Sequence, residues 1–354
     1  MFKKKFNLHG LVRLELLTER ENTVREIMYH LSEMESPGDV GGADILIQDY
    51  SEKPDLPEAL SIEGYYFYKD GVLDVPPYRL CFDLKSYPLR VWGDHLVLPV
   101  NLLIEVALLR KGYTFLHSAG VQWQGQNLLF PAHGGTGKTA LVTGLMKKGA
   151  KLFGDDLIII GNGQVFGYPQ DFSVYPYHVG LLGLKDSTLA RSFRVDAFLD
   201  FFVRLTGTSE RLVWRALRSL FSRLKTRCVN VPPRIIFGPD AFALAGTIGR
   251  VFFLNRHQED QKTISIVTEN PSALSKKCVN ILLLEWHHSS RFLYLYGALT
   301  GLSPAELDRQ AFAILNQSFH SSPCATIHVP AAFSVEELQK KVIEKLEEGE
   351  ERSP

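Results

Sequence analysis

The sequence holds little of what marks the more specialised protein classes. Its four cysteines, Cys81, Cys228, Cys278 and Cys324, are scattered singly along 354 residues. None forms a CxxC pair or stands at zinc-ligand spacing, so neither a disulfide scaffold nor a zinc module is expected. There is no excess charge either, since 39 basic residues balance 39 acidic ones. That balance removes bulk attraction to nucleic acid or to an anionic membrane, so neither is expected among the partners. The longest apolar run, Val97 to Leu109, is interrupted by Pro99, Asn101 and Glu105. It falls short of the about 20 residues that cross a bilayer. The start, Met1-Phe-Lys-Lys-Lys-Phe6, is basic but leads into no apolar core or small-residue cleavage site, and the chain therefore reads as cytoplasmic. No internal repeat or low-complexity tract is visible. Adjacent His287 and His288, read as part of a strand, would point to opposite sides and could not share one metal ion.

What is present is an ordinary globular composition, 45% hydrophobic and 11% aromatic, with length for two or three domains. Residues 14–34 mix charged and apolar residues at near-helical spacing, and the turn chemistry of Ser36 to Ala43 ends them, so a helix is expected there. From Ile45 to Leu98 the pattern changes to short alternating runs parted by Asp70-Gly71, Pro76-Pro77 and Gly93-Asp94, the signature of antiparallel strands. Val100 to Lys111 reads as a helix closed by Gly112, and a boundary is placed near residue 110. This gives an N-terminal α+β accessory domain over 1–110, a core domain over 111–330 and a C-terminal helix and tail over 331–354. Ser334-Val-Glu-Glu337 forms a capping box that opens the last helix. Within the core domain a helical insertion is expected at about 190–228. Residues 191–227 carry nine Lys/Arg against three Asp/Glu, and Val213, Leu217, Leu220 and Leu224 make an apolar stripe at helical spacing. Arg211, Arg215 and Arg218 fall on another face, either as a solvated surface or as a dock for an acidic partner.

The most informative segment runs from Asn127 to Val142: an apolar run, then Pro131-Ala-His-Gly-Gly-Thr-Gly-Lys-Thr139, then a helical pattern. That is the layout of a phosphate loop. Residues 133–140, His133, Gly134, Gly135, Thr136, Gly137, Lys138, Thr139 and Ala140, are the candidate nucleotide-binding residues. Their backbone amides would converge on phosphate oxygens at a helix N-terminus, Lys138 would neutralise the terminal phosphates and the Thr139 hydroxyl would hold magnesium. Ala132 stands where the strict pattern has its first glycine. After the helix, Lys151 to Ile160 returns as a strand bearing Asp155 and Asp156. One carboxylate would serve the metal, and the other would take a proton from an attacking hydroxyl. A plain turn with two acids is the alternative.

Three segments in this order, Leu116-His-Ser-Ala-Gly-Val121, His133-Gly-Gly-Thr-Gly-Lys-Thr139 and Gly154-Asp-Asp156, resemble the HPr kinase/phosphorylase family of P-loop kinases. That family's phosphate-binding fold is similar to that of phosphoenolpyruvate carboxykinase. The resemblance covers residues 113–160 and, loosely, 228–256, and implies an α/β fold, α+β overall, with a P-loop core; the helical insertion and the smaller N-terminal domain are read from the sequence pattern and lie outside it. It implies Asp156 as catalytic base, Asp155 in the metal shell with Thr139, and His117 as the family's histidine at the start of the strand leading to the loop. Val231-Pro-Pro-Arg234 looks like the family's later proline-arginine segment, which makes Arg234 a phosphate contact, with Arg250 the competing candidate. The family's acceptor loop for HPr is not found. An aromatic stretch, Asp171 to Gly180, stands in its region, and the chain looks more like divergent relatives that phosphorylate serine hydroxyls on peptides or free serine.

The expectation is therefore a magnesium-dependent kinase that moves a phosphoryl group from ATP or another nucleoside triphosphate to an alcohol such as a serine of a peptide, a protein or a small molecule. Whether it forms a homo-oligomer stays open. A nucleotide-gated binding module without transfer is the alternative. The absence of NKxD and LSGGQ motifs sets aside GTPase-type and ABC-type switches.

Overall fold

The computed structural model describes residues 1–36, 38, 41–94, 99–174, 179, 182, 229–257 and 263–350. The chain divides into two compact units, one of residues 1–170 with 241–354 and one of residues 171–240. The larger unit holds two sheets with helices packed on them, a mixed α/β architecture.

The first sheet is built from β1 (Phe2–Leu8), β2 (Val12–Thr18), β3 (Ile45–Gln48), β4 (Leu60–Ile62), β5 (Tyr66–Lys69), β6 (Val72–Val75), β7 (Leu80–Asp83) and β8 (Leu89–Gly93). Their order is β1-β2-β3-β8-β7-β6-β5-β4. The strands expected between 45 and 98 are present, antiparallel from β4 to β8, but β3 runs parallel to both β2 and β8, and 14–34 is not one helix. The sequence from Val12 to Thr18 buries alternate residues, Val12, Leu14, Leu16 and Thr18, a period of two that suits a strand. The strand pairs antiparallel with β1 from Phe2↔Thr18 to Leu8↔Val12. Helix α1 begins only at Glu21 and ends at Leu31. Charged residues placed between apolar ones satisfy both periods over a short window, and the cross-strand partner decided between them.

Helix α2 (Pro99–Leu109) leads through a left-handed Gly112, φ 79°, into the second sheet, as expected. Its strands are β9 (Thr114–Trp123), β10 (Gln126–Pro131), β11 (Lys151–Gly154), β12 (Leu157–Gly161), β13 (Gln164–Phe166), β16 (Ala245–Thr247), β17 (Arg250–His257), β18 (Ser265–Thr268) and β19 (Cys324–Pro330). They run in the order β16-β13-β12-β9-β10-β17-β19-β18, with β11 also on β9. Strand β9 is the hub. Nine of its ten residues are buried, and helices α2, α3 (Lys138–Lys147), α5 (Pro271–Glu285) and α7 (Pro304–Phe319) pack on it. A strand covered on both faces reads as a continuous apolar run, which makes its buried Thr114, His117 and Ser118 chemically conspicuous.

His287 and His288 open helix α6 (His287–Thr300) rather than lying in a strand. The last helix, α8 (Val335–Glu350), starts at the capping box. The Ser334 hydroxyl accepts from the Glu337 amide at 3.1 Å, and the Glu337 carboxylate accepts from the Ser334 amide at 2.8 Å. Its buried stripe of Leu338, Val342 and Leu346, at four-residue spacing, faces α3. In the smaller unit, β14 (Phe172–Val174) pairs antiparallel with β15 (Val229–Val231), and α4 (Pro233–Phe237) sets Phe237 edge-on to Phe172 at 5.8 Å. The helical insertion expected at 190–228, including the basic segment, lies outside the described residues. No described helix is long and apolar enough to cross a membrane.

Candidate phosphate-loop site

The pairing register of β9 assembles the site. On one side, Pro131 at the end of β10 stands opposite Ser118, so the glycine-rich loop begins level with the middle of β9. On the other side, β11 ends opposite Gly120 and β12 begins with Leu157 opposite His117. Asp155 and Asp156 are the bulge between them, and the Ser118 amide donates to the Asp156 carbonyl at 3.0 Å. One turn of antiparallel pairing thus places a loop, a histidine and two carboxylates at one level. His117 lies within β9, the strand antiparallel to the one that leads to the loop, rather than at the start of that leading strand.

The loop's shape rests on two glycines. Gly135 has φ 74° and Gly137 φ 105°, left-handed conformations that a side chain resists. Ala132, at the first position of the motif, is fully buried and is not among the residues with positive φ, so the missing glycine costs the loop nothing. Gly137 caps α3, and the Leu141 amide already donates to its carbonyl at 3.0 Å. His133, Gly134 and Gly135 are exposed, leaving the loop open at a helix N-terminus, where amides and the helix dipole favour anions.

Lys138 is buried, and its ammonium donates to the Ala132 carbonyl at 2.8 Å and the His133 carbonyl at 3.2 Å. It also lies 2.8 Å from His117 Nε2. An ammonium only donates, so Nε2 must be the acceptor and the neutral ring carries its proton on Nδ1. Nδ1 faces Asp156 Oδ1 at 3.6 Å. Burial holds the imidazole neutral by pulling its pKa down to about 4, against the attraction of Asp156. The Asp156 side chain is 66% exposed.

The Thr139 hydroxyl donates to Asp155 Oδ2 at 2.7 Å. The other oxygen, Oδ1, is shut off from solvent with no hydrogen-bond partner. Burial, helped by the neighbouring Asp156, raises the Asp155 pKa to about 7. A buried carboxylate oxygen without a donor, beside a hydroxyl in the first turn of α3, fits a hard divalent cation such as magnesium. No cluster of three His, Cys, Asp or Glu side chains stands among the described residues, so a cation here would depend on oxygens from a bound phosphate as well.

Lys138, Thr139, His117, Asp155 and Asp156 are therefore brought together. Arg250 is not. It opens β17 in register with Leu128, midway along β10 and three residues before Pro131, where the loop begins, and its guanidinium covers the Phe252 ring at 5.1 Å. Arg234 belongs to α4 in the other unit. Two contributions escaped the sequence. Leu338 packs on Gly137, and Gln339 Nε2 donates to the Ala140 carbonyl at 2.6 Å, so α8 braces the loop and the first turn of α3. The apolar stripe of α8 marked a packing face without saying which helix it meets. Arg256, at the far end of β17, donates to the Ala331 carbonyl at 3.0 Å and to that of Phe333, fixing the turn into α8.

No family model matches the sequence, and no curated protein matches it. Among solved structures, the Hpr(Ser) kinase/phosphatase from Coxiella burnetii is similar over 68% of this chain and 99% of its own, at 12% identity and a TM-score of 0.29.

Proposed function

We propose that the chain is a P-loop phosphotransferase that moves the terminal phosphoryl group of a nucleoside triphosphate to an alcohol hydroxyl. The observation that carries this reading is the common level, on β9, of a loop bearing Lys138 and of the Asp155–Asp156 bulge, with His117 between them. The loop amides and Lys138 would hold the phosphates. Thr139 and Asp155 would hold magnesium, which would neutralise phosphate charge. Asp156, the exposed carboxylate, would take the proton of the acceptor hydroxyl as its oxygen bonds to the γ-phosphorus and the bond to the β-γ bridging oxygen breaks, releasing the nucleoside diphosphate. Positioning and charge stabilisation supply most of such catalysis. A serine hydroxyl, free or in a peptide, is the acceptor class that the sequence resemblance favours.

Two measurements test this. Calorimetry with magnesium-ATP and with inorganic triphosphate should show binding that Lys138→Ala abolishes, since the amides alone cannot neutralise the terminal phosphates. Unchanged affinity in that variant removes the phosphate-loop assignment. Transfer of labelled γ-phosphate to free serine and to serine peptides should then be detectable. Binding without transfer to any alcohol would favour a nucleotide-gated module.

A further inference from the structure

We propose that His117 is a positioning residue that stows the Lys138 ammonium while the phosphate loop is empty, so that a triphosphate engages the lysine only by taking it from the imidazole. This inference rests on the phosphate-loop reading and adds a regulating contact to it. An ammonium has three hydrogens, and here they meet three acceptors, His117 Nε2 and the carbonyls of Ala132 and His133. Lysine and histidine are 6% and 3% exposed, so bulk water offers little substitute for the contact they make. Phosphate binding is then an exchange of partners rather than the filling of a vacant charge, and the affinity measured is the difference between the two.

The same ring ties the exchange to the base. With Nε2 accepting from Lys138, the Nδ1 proton is directed at Asp156 Oδ1, 3.6 Å away, longer than a good hydrogen bond. Release of the lysine lets the imidazole move without losing that tautomer, since Nε2 then takes a donor from the bound phosphate's water shell. Loop occupancy is thereby communicated to the carboxylate that receives the proton.

Two substitutions separate the ring's two nitrogens. In His117→Asn the short amide can still donate toward Asp156 but cannot reach the lysine. In His117→Gln the longer amide puts an oxygen where Nε2 was and keeps the stow. With inorganic triphosphate as probe, His117→Asn should bind about 3- to 10-fold more tightly than the unmodified protein, as expected for losing a competing charged hydrogen bond, and His117→Gln should match the unmodified protein. Turnover should fall further in Gln than in Asn. Equal or weaker triphosphate binding by the Asn variant overturns the stow while leaving the loop assignment in place. Histidine 15N NMR on the unmodified protein needs no variant to fold. The His117 ring should report the Nδ1–H tautomer, and its Nε2 signal should move on adding triphosphate. Triphosphate binding with an unmoved signal overturns the stow alone; no triphosphate binding by the unmodified protein overturns the stow and the phosphate-loop reading together.

Discussion

Gly137 leaves no room for a side chain beneath Leu338. A Cβ at Gly137 would come within 2.9 Å of Leu338 Cδ1, and the backbone there has φ 105°. Gly134 has neither constraint, since a Cβ on it meets nothing within 4 Å and its φ is not positive. Gly137→Ala should therefore destabilise the chain by about 1–3 kcal/mol, while Gly134→Ala should stay within about 0.5 kcal/mol. Urea denaturation of the two variants checks this. Equal losses would mean that α8 does not set the shape of the loop.

Asp156→Asn should leave the fold and nucleotide affinity in place and lower phosphoryl transfer about 100-fold or more, the usual consequence of removing a general base. Single-turnover transfer at saturating ATP, beside a calorimetric titration, separates the two effects. If transfer persists at full rate, the proton goes to another group, and His117 would be the next to examine.

Asp155→Asn should divide stability from function. The carboxylate is held in a site that raises its pKa to about 7, so at pH 8 the folded chain carries a poorly solvated charge that the amide would remove. The melting temperature at that pH should rise by about 2–4 °C, while the magnesium dependence of ATP binding is lost. A fall in melting temperature would show that the carboxylate stabilises the β11–β12 bulge as a structural acceptor.

The sequence was legible where backbone chemistry is strict. A glycine before Lys138-Thr139 and a pair of acids after the next helix could be read locally, and the register of β9 sets them at one level. It was less legible where two patterns coincide. Val12 to Thr18 fits a strand and a helix equally over seven residues until β1 supplies the partner. Long-range register was hidden as well. Arg250 is a phosphate ligand by type, but its pairing with Leu128 sets it midway along β10, three residues short of the loop, and no local pattern encodes that offset. The brace from α8 was invisible for a similar reason, because Leu338 and Gly137 lie two hundred residues apart and meet only through the order of strands β10, β17 and β19.

Glu105 should make the chain's stability fall as pH rises toward the alkaline side. This α2 residue is 1% exposed and accepts from the Thr114 hydroxyl at 2.5 Å and the Phe115 amide at 2.7 Å. Burial outweighs those two bonds and raises its pKa from 4.5 to about 8. The folded chain therefore keeps a proton that the unfolded chain has already released between these two values, and over that window stability declines with pH before levelling off above it. Glu105→Gln removes the ionisation while keeping an oxygen to accept from the Phe115 amide and an amide to donate to Thr114. The variant should match the unmodified protein near pH 5 and exceed it by about 1–3 kcal/mol at pH 8.5. Urea midpoints at pH 5, 6.5 and 8.5 measure the difference. A gap that stays constant across the three would mean that Glu105 is ionised throughout, and that the start of β9, on which His117 depends, is anchored by a buried charge.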